Sequence, residues 1–243
     1  MLDFARSGTV VGGMRLIGQG GTRAAGVLIM GVMLGSLSPI RADGRVPEGG
    51  PAFEVKVMSF NIKAQKPGDP KPEAAGTHWE RRRPLACRII RDHGAEIICL
   101  QEVYRAQIDD LREAFPRFDE VGEGRRGEGR DEHCPILFSK ERFRLIASGT
   151  FWLSDTPAEV STSWGNHYPR ICTWVSLQDR ESGVSLDVFN THFPHKWQPA
   201  REKAVRLITK RIHGRKNRAR FILAGDFNAG EDNPVISYLK GTH

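Results

Sequence analysis

Cysteine is scarce, four in 243 residues. Cys87, Cys99, Cys134 and Cys172 show no CxxC spacing and no Cys/His ladder. That excludes the usual structural zinc sites. Each lies in an apolar run (LACRII, IICLQ, CPILF, ICTWV), as small buried hydrophobes do, although an exported chain can also pair them. The 26 glycines have no period of three, which excludes a collagen helix. No internal repeat is present, which sets aside solenoids and propellers. What remains is 39% hydrophobic and 27% charged, with five Trp and twelve Phe, a composition that disordered chains lack. The length suits one large domain or two small ones, with ample residues for a core.

The net charge of +7 belongs in part to the N-terminus. Arg6, Arg15 and Arg23 lead into an uncharged run of fourteen residues, 24–37 (AAGVLIMGVMLGSL), which Pro39 breaks before Ile40-Arg41-Ala42. This is the order of a secretory signal, and the run is short for a bilayer span. Residues 1–42 are therefore expected to be a signal peptide or a retained N-terminal anchor, with Met14 a second possible start, and the protein to be exported. Processing would remove four arginines and one aspartate, leaving 201 residues at +4. Residues 43–52 read as a Gly/Pro linker, and 53–243 as one domain.

Strands are predicted at 53–62, in EIICLQ (96–101), at 117–121, 133–138, 143–153, 170–177 and 184–191, and in FILAGDFN. Helices are predicted over 81–93, 104–115 and 200–213, with a short fourth capped by Asn233 with Pro234 at its first position. Short turns join several strands, so the class is a mixed α/β or α+β layered domain.

Polar residues recur where apolar strands end: Asn61, Gln101-Glu102, Asn190-Thr191-His192 and Asp226-Phe227-Asn228. In layered α/β folds ligands collect at such ends. Positions i and i+2 of a strand share a face, which pairs Asn190 with His192 and Asp226 with Asn228. Carboxylate and carboxamide oxygens suit Mg²⁺ or Mn²⁺ rather than zinc.

SFNIK, LQEV, NTHF and GDFN, in that order, resemble the endonuclease/exonuclease/phosphatase superfamily, the DNase I-like fold. HCPILF, SGTFWLSDTP and PRICTW resemble a bacterial exported branch of it. The resemblance covers about residues 53–240. It implies a four-layer sandwich, two β-sheets flanked by helices, and divalent-metal hydrolysis of a phosphate ester. It places Asn61 and Glu102 at the metal, Mg²⁺ or Mn²⁺, with Glu102 its main carboxylate. It places His192 on the scissile phosphate or leaving oxygen, Asp226 on the attacking water and Asn228 on the phosphate. Arg170, in PRICTW, faces the same pocket, and Asn190 and His195 are further candidates for the phosphate or substrate. The substrate is a nucleic acid, a phospholipid head group or a sugar phosphate. No stable protein partner is implied, and a monomer is expected.

The family's pattern continues past GDFN, through further strands, to a C-terminal Asp-His pair. His243 follows Asn228 by fifteen residues with no preceding Asp, so it is not assigned that role. The domain is therefore expected to be incomplete at its C-terminus, with the last strands missing and an apolar edge unpaired. Turnover well below that of a complete member follows. The alternative function is an inactive or weakly active relative that only binds metal or phosphate.

Among the other charged segments, Arg81–Arg83 are expected to decorate the first helix. KRIHGRKNRAR is expected to be a solvated helix end and loop. Arg125, Arg126 and Arg130 lie in a glycine loop whose field nearby acids dilute. Trp152, Trp164, Trp174 and Trp197 are expected to pack in the core or loops.

Overall fold

The computed structural model describes residues 27–29, 32–34, 53–66, 78–216 and 219–241. The signal or anchor over 1–42, apart from six residues, the linker 43–52, most of the loop 64–78, Arg218 and His243 lie outside the described residues.

Two sheets face one another. One holds β3 (Val57–Asn61), β4 (Ile97–Gln101), β6 (Ile136–Ser139) and β5 (Phe118–Val121), in that spatial order. The other runs β1 (Val27–Ile29), β2 (Val32–Leu34), β10 (Arg220–Asp226), β9 (Ser185–His192), β8 (Ile171–Asp179) and β7 (Phe143–Trp152). β3–β4 and β9–β10 are parallel, and the other pairs are antiparallel. The eight strands predicted after residue 52 are all present. In the full chain the β10 edge is paired, with Val32–Leu34 antiparallel to residues 222–224. Part of the run expected to be a signal or anchor thus forms a strand of the sheet, and its removal would open that edge as expected. The unpaired N–H and C=O groups of a strand edge favour such an addition.

Side-chain alternation builds the layers. Ile97 and Cys99 turn toward the other sheet and meet Val175, Leu177, Leu186, Val188, Ile222 and Ala224. Ile98 and Leu100 turn outward under α1 (Trp79–His93) and α2 (Arg105–Ala114). On the far side Cys172, Phe189 and Leu223 pack beneath α3 (Gln198–His213) and α4 (Pro234–Lys240). The result is the expected four-layer sandwich. Gly94 ends α1 in the left-handed region at φ 63°, and Asn233 caps α4 by accepting from Val235 N at 3.0 Å.

All four cysteines are buried and unpaired. Residue 82 departs from its predicted surface place. It lies four residues before Ala86 and eight before Ile90 on the buried stripe of α1, and its side chain is buried.

Candidate functional site

β3 ends at Asn61, β4 at Gln101 just before Glu102, β9 at His192 and β10 at Asp226. The parallel registers set Asn61 beside Gln101 and His192 beside Asp226. Each parallel pair thus delivers its C-terminal ends together, and Asn61 of one sheet meets Asp226 of the other there. Asn61 Nδ2 donates to Glu102 Oε1 at 3.0 Å and to Asp226 Oδ2 at 3.0 Å. His192 Nε2 lies 3.7 Å from the same Asp226 oxygen. Asp226 Oδ1 accepts from the backbone N–H of Asn228 at 3.0 Å, and Asn228 Nδ2 donates to Phe193 O at 2.9 Å. Five of the eight sequence-selected residues therefore form one connected cluster.

The backbone is held out of its usual basins there. Lys63, Glu102 and Asn228 have φ of 60°, 57° and 47°. Non-glycine residues in this region cost roughly 1–3 kcal/mol each and persist where the surroundings enforce them. Gly225 precedes Asp226, and a Cβ there would lie 2.2 Å from Thr191 O. Only glycine lets β10 approach β9 closely enough to place that carboxylate.

Two residues that support the cluster escaped the sequence reading. The buried Arg82 guanidinium donates to Ile62 O, and to Lys63 O at 3.1 Å. Gln107 donates to Lys63 O at 3.1 Å and accepts from Gln65 N at 3.0 Å. Together they pin the turn after Asn61. The four-residue spacing from Arg82 to Ala86 was the available signal for Arg82.

Arg170 is buried just before β8, and among the described residues its guanidinium has no hydrogen bond or ion pair. Burial pulls it below the usual arginine range, against the pull of Glu132. Burial, reinforced by the Arg170 charge, also holds the His192 imidazole well below the usual histidine range. His192 is thus a neutral imidazole at neutral pH. His195 is exposed, and its pKa is lowered by partial burial and by Arg170.

Asn190 is placed differently from the expectation. It is fully buried, with Nδ2 donating to Leu100 O and Pro135 O at 2.8 Å each and Oδ1 accepting from Gln101 at 2.8 Å. Those contacts join the two sheets and leave no amide N–H for a substrate.

Loop residues crowd the Arg170 side. Arg125 is buried and pairs with Asp131 at 3.0 Å and Glu132 at 2.9 Å, two of the acids expected to dilute its field. Its guanidinium sits 5.1 Å from the Tyr168 ring centroid, and its carbonyl accepts from Trp152 Nε1 at 2.8 Å. Trp197, expected to be packed, is 46% exposed and lies 6.5 Å from His167, ring centroid to ring centroid. The KRIHGRKNRAR segment is not wholly solvated. Arg215 pairs with the buried Asp187, and Arg220 is buried against Phe53.

Among the described residues no group of three or more His, Cys, Asp or Glu side chains converges. Glu102 accepts only from Asn61 and from Ala64 N at 3.4 Å, and among the described residues it has no cationic partner. A half-buried carboxylate with spare lone pairs suits Mg²⁺, which binds through one or two carboxylates and keeps its waters. Asn61 presents its N–H to both carboxylates, and its Oδ1 accepts from Lys63 N at 3.0 Å.

A profile of the Endonuclease/Exonuclease/phosphatase family matches residues 58–241. The structure is similar to a mannosyl-6-phosphatase from Bacteroides thetaiotaomicron, with a TM-score of 0.72 and 30% identity over 76% of this chain and 70% of that one. Among curated proteins, bovine Protein angel homolog 2 is 25% identical over 77% of this chain. The 3'-5'-exoribonuclease subunit Ccr4 of the Aspergillus clavatus CCR4-Not complex is 28% identical over 55%. The chain spans 37% of the length of the former and 22% of the latter.

Proposed function

The chain belongs to the endonuclease/exonuclease/phosphatase family, and on that premise we propose that it is an exported, monomeric hydrolase of phosphate esters that works with Mg²⁺ or Mn²⁺. The observation that carries this reading is the Asn61 amide held 3.0 Å from both Glu102 and Asp226 at the strand ends. Relatives bearing the names exoribonuclease and mannosyl-6-phosphatase support phosphate esters as the substrate class.

Glu102, with Asn61 beside it, would hold the cation. When bound, the cation supplies positive charge to the phosphoryl oxygens as negative charge builds on them. Asp226 orients the attacking water and accepts its proton. Its Oδ2 is already fixed by Asn61, and its Oδ1 by Asn228 N–H. Neutral His192 offers a hydrogen-bond donor to a phosphoryl oxygen or the leaving oxygen. Arg170 supplies a buried positive charge that helps hold the His192 pKa down. Asn228 keeps one Nδ2 proton free, since the other goes to Phe193 O.

The test is hydrolysis of p-nitrophenyl phosphate and bis(p-nitrophenyl) phosphate by the full chain, with Mg²⁺, with Mn²⁺ and with EDTA. Metal-dependent release of nitrophenol, lost in Glu102→Gln, is expected. Release that EDTA leaves unchanged would overturn the metal role, and no release from either ester would overturn the hydrolase.

A further inference from the structure

Arg82, Arg125 and Arg201 are buried, and each has acceptors. Arg82 donates to Ile62 O and Lys63 O, and Arg125 pairs with Asp131 and Glu132. Arg201 donates to Pro194 O, His195 O and Gln198 Oε1. Arg220, the last arginine of the KRIHGRKNRAR segment, is the contrary case. It is 8% exposed, and neither Nη1 nor Nη2 reaches solvent or has a hydrogen-bond partner. Among the described residues it has no ion pair. Burial alone pulls it below the usual arginine range, with no carboxylate pulling the other way.

Arg220 opens β10 beside Leu186 of β9, six residues before Asp226. That is roughly 20 Å along the strand from the ends that carry the functional cluster. Ile222 and Ala224 face the other sheet, and Arg220 shares their side at the floor of the core. The Phe53 ring lies 5.6 Å from the Arg220 guanidinium and 5.3 Å from that of Arg142. Arg142 is matched by Glu96 and Asp179, whereas Arg220 has the ring alone. A ring face draws a cation but leaves the in-plane N–H groups without acceptors. A buried cation in that state is costly. Water would supply an acceptor without charge, and an anion supplies both.

We propose that Arg220 is the seat of a small monovalent anion, a halide or a formate-sized carboxylate, at the pole of the sandwich opposite the strand-end cluster. Its two in-plane Nη donors form a fork that meets a spherical ion or the two oxygens of a carboxylate. The enclosure sets the size: two sealed nitrogens admit an ion of a few atoms and not a phosphate ester or a peptide. The entry is short, because Ser185, next to the register partner Leu186, is exposed. A bound anion neutralises the charge that the fold buries, so it stabilises the folded chain by mass action.

The experiment melts the full, metal-free chain while sodium chloride or sodium formate replaces sodium gluconate at constant ionic strength. Screening is then fixed, and gluconate is too large for the enclosure. Above the dissociation constant, each tenfold rise in the small anion should raise the wild-type melting temperature by about 3–5 °C. Arg220→Met keeps the bulk without the charge. It should melt in gluconate at or above wild type and lose that rise. Anion binding at the strand-end cluster is common to both chains, so the difference in slope is the readout. The steeper of the chloride and formate series identifies the occupant. Equal slopes in wild type and Arg220→Met overturn the site. No rise in wild type also overturns it and leaves water as the partner. Should Arg220→Met fail to fold, Arg220→Lys replaces the fork with one charged head, and a slope equal to wild type overturns the site. Hydrolysis is not measured, so the result stands apart from the phosphoesterase reading.

Discussion

Gln101 Nε2, on β4 of one sheet, donates at 2.8 Å to Asn190 Oδ1, on β9 of the other. Both side chains are buried, and each stands within two residues of the site: Gln101 precedes Glu102, and Asn190 lies two before His192. The amide of Asn190 is completed by Leu100 O and Pro135 O. This polar bridge fixes the spacing at which the two halves of the site face each other.

Asn190→Leu should therefore act on stability first. It removes three buried hydrogen bonds. Gln101 Nε2 keeps Ser59 Oγ and Cys99 O, and Pro135 O keeps the Leu100 N–H. The cost is therefore about 1 kcal/mol for each bond lost rather than a full desolvation penalty for each group. A loss of at least about 2 kcal/mol in urea unfolding is expected, with turnover falling as the sheets shift. Asn228→Ala, at the half-exposed rim, loses the bond to Phe193 O and puts Ala at φ 47°, so it should cost about 1–2 kcal/mol by the same measurement. If Asn190→Leu unfolds like wild type yet loses phosphate affinity, the amide serves the ligand and not the sheets.

The same residue shows what was legible in the sequence. Strand alternation and the Asn233–Pro234 cap gave the layers, because period-two burial and capping are local. The strand-end residues Asn61, Glu102, His192 and Asp226 were legible because each interrupts an apolar run. Asn190 obeyed the same pattern for another reason: burial at a sheet-to-sheet contact selects a hydrogen-bonding side chain just as a ligand does. Arg82 and Arg125 were hidden because their partners are backbone carbonyls and loop acids whose approach depends on the tertiary fold. Trp197 reads as core material by composition, and only the placement of α3 leaves it at the surface.

Glu102 and Asp226 should separate metal binding from water activation. Glu102→Gln removes the uncompensated carboxylate, so Mn²⁺ affinity measured by calorimetry and turnover should both collapse. Asp226→Asn keeps only one acceptor oxygen, so either Asn61 Nδ2 or Asn228 N–H, which donate to different Asp226 oxygens, loses its acceptor. It also removes the base, and kcat should fall about 10²–10⁴-fold. Its Mn²⁺ affinity should change far less than that of Glu102→Gln. Equal loss of Mn²⁺ binding in the two variants would show that both carboxylates hold the cation.

Gly225→Ala tests the close approach of β9 and β10. The added methyl would lie 2.2 Å from Thr191 O, at a backbone φ of 150°. Neither the carbonyl nor the strand can yield without moving Asp226. A destabilisation above about 2 kcal/mol is expected, together with a drop in kcat that stabilising osmolytes do not restore. A variant that melts like wild type and turns over normally would show that the strands have slack there.

The pH dependence of stability follows from His192. Its folded pKa is lowered chiefly by burial and secondly by Arg170, with Arg125 and His195 acting the same way and Glu102 opposing. An unfolded histidine titrates near ~6.5. Below that pH the unfolded chain takes up a proton that the folded chain refuses, so stability falls as pH drops through about 6.5 toward the folded value. Above it the contribution is constant. Asp131, held near 2 by Arg125 against its burial, loses its contribution only below about pH 4, a separate window. Glu132, raised by burial, has the opposite slope, but it is common to wild type and variant. The measurement is urea unfolding of the metal-free chain between about pH 7.5 and 4.5, for wild type and His192→Gln. Wild type should lose more stability across that range than the variant, which has no imidazole to protonate at this position. Parallel curves would mean that His192 takes up its proton in the folded chain at the same pH as in the unfolded one, so that burial does not exclude the charged form. A wild type that gains stability relative to the variant as pH falls would mean a His192 protonated at neutral pH, and the neutral-donor role assigned to it beside Asp226 would then fall.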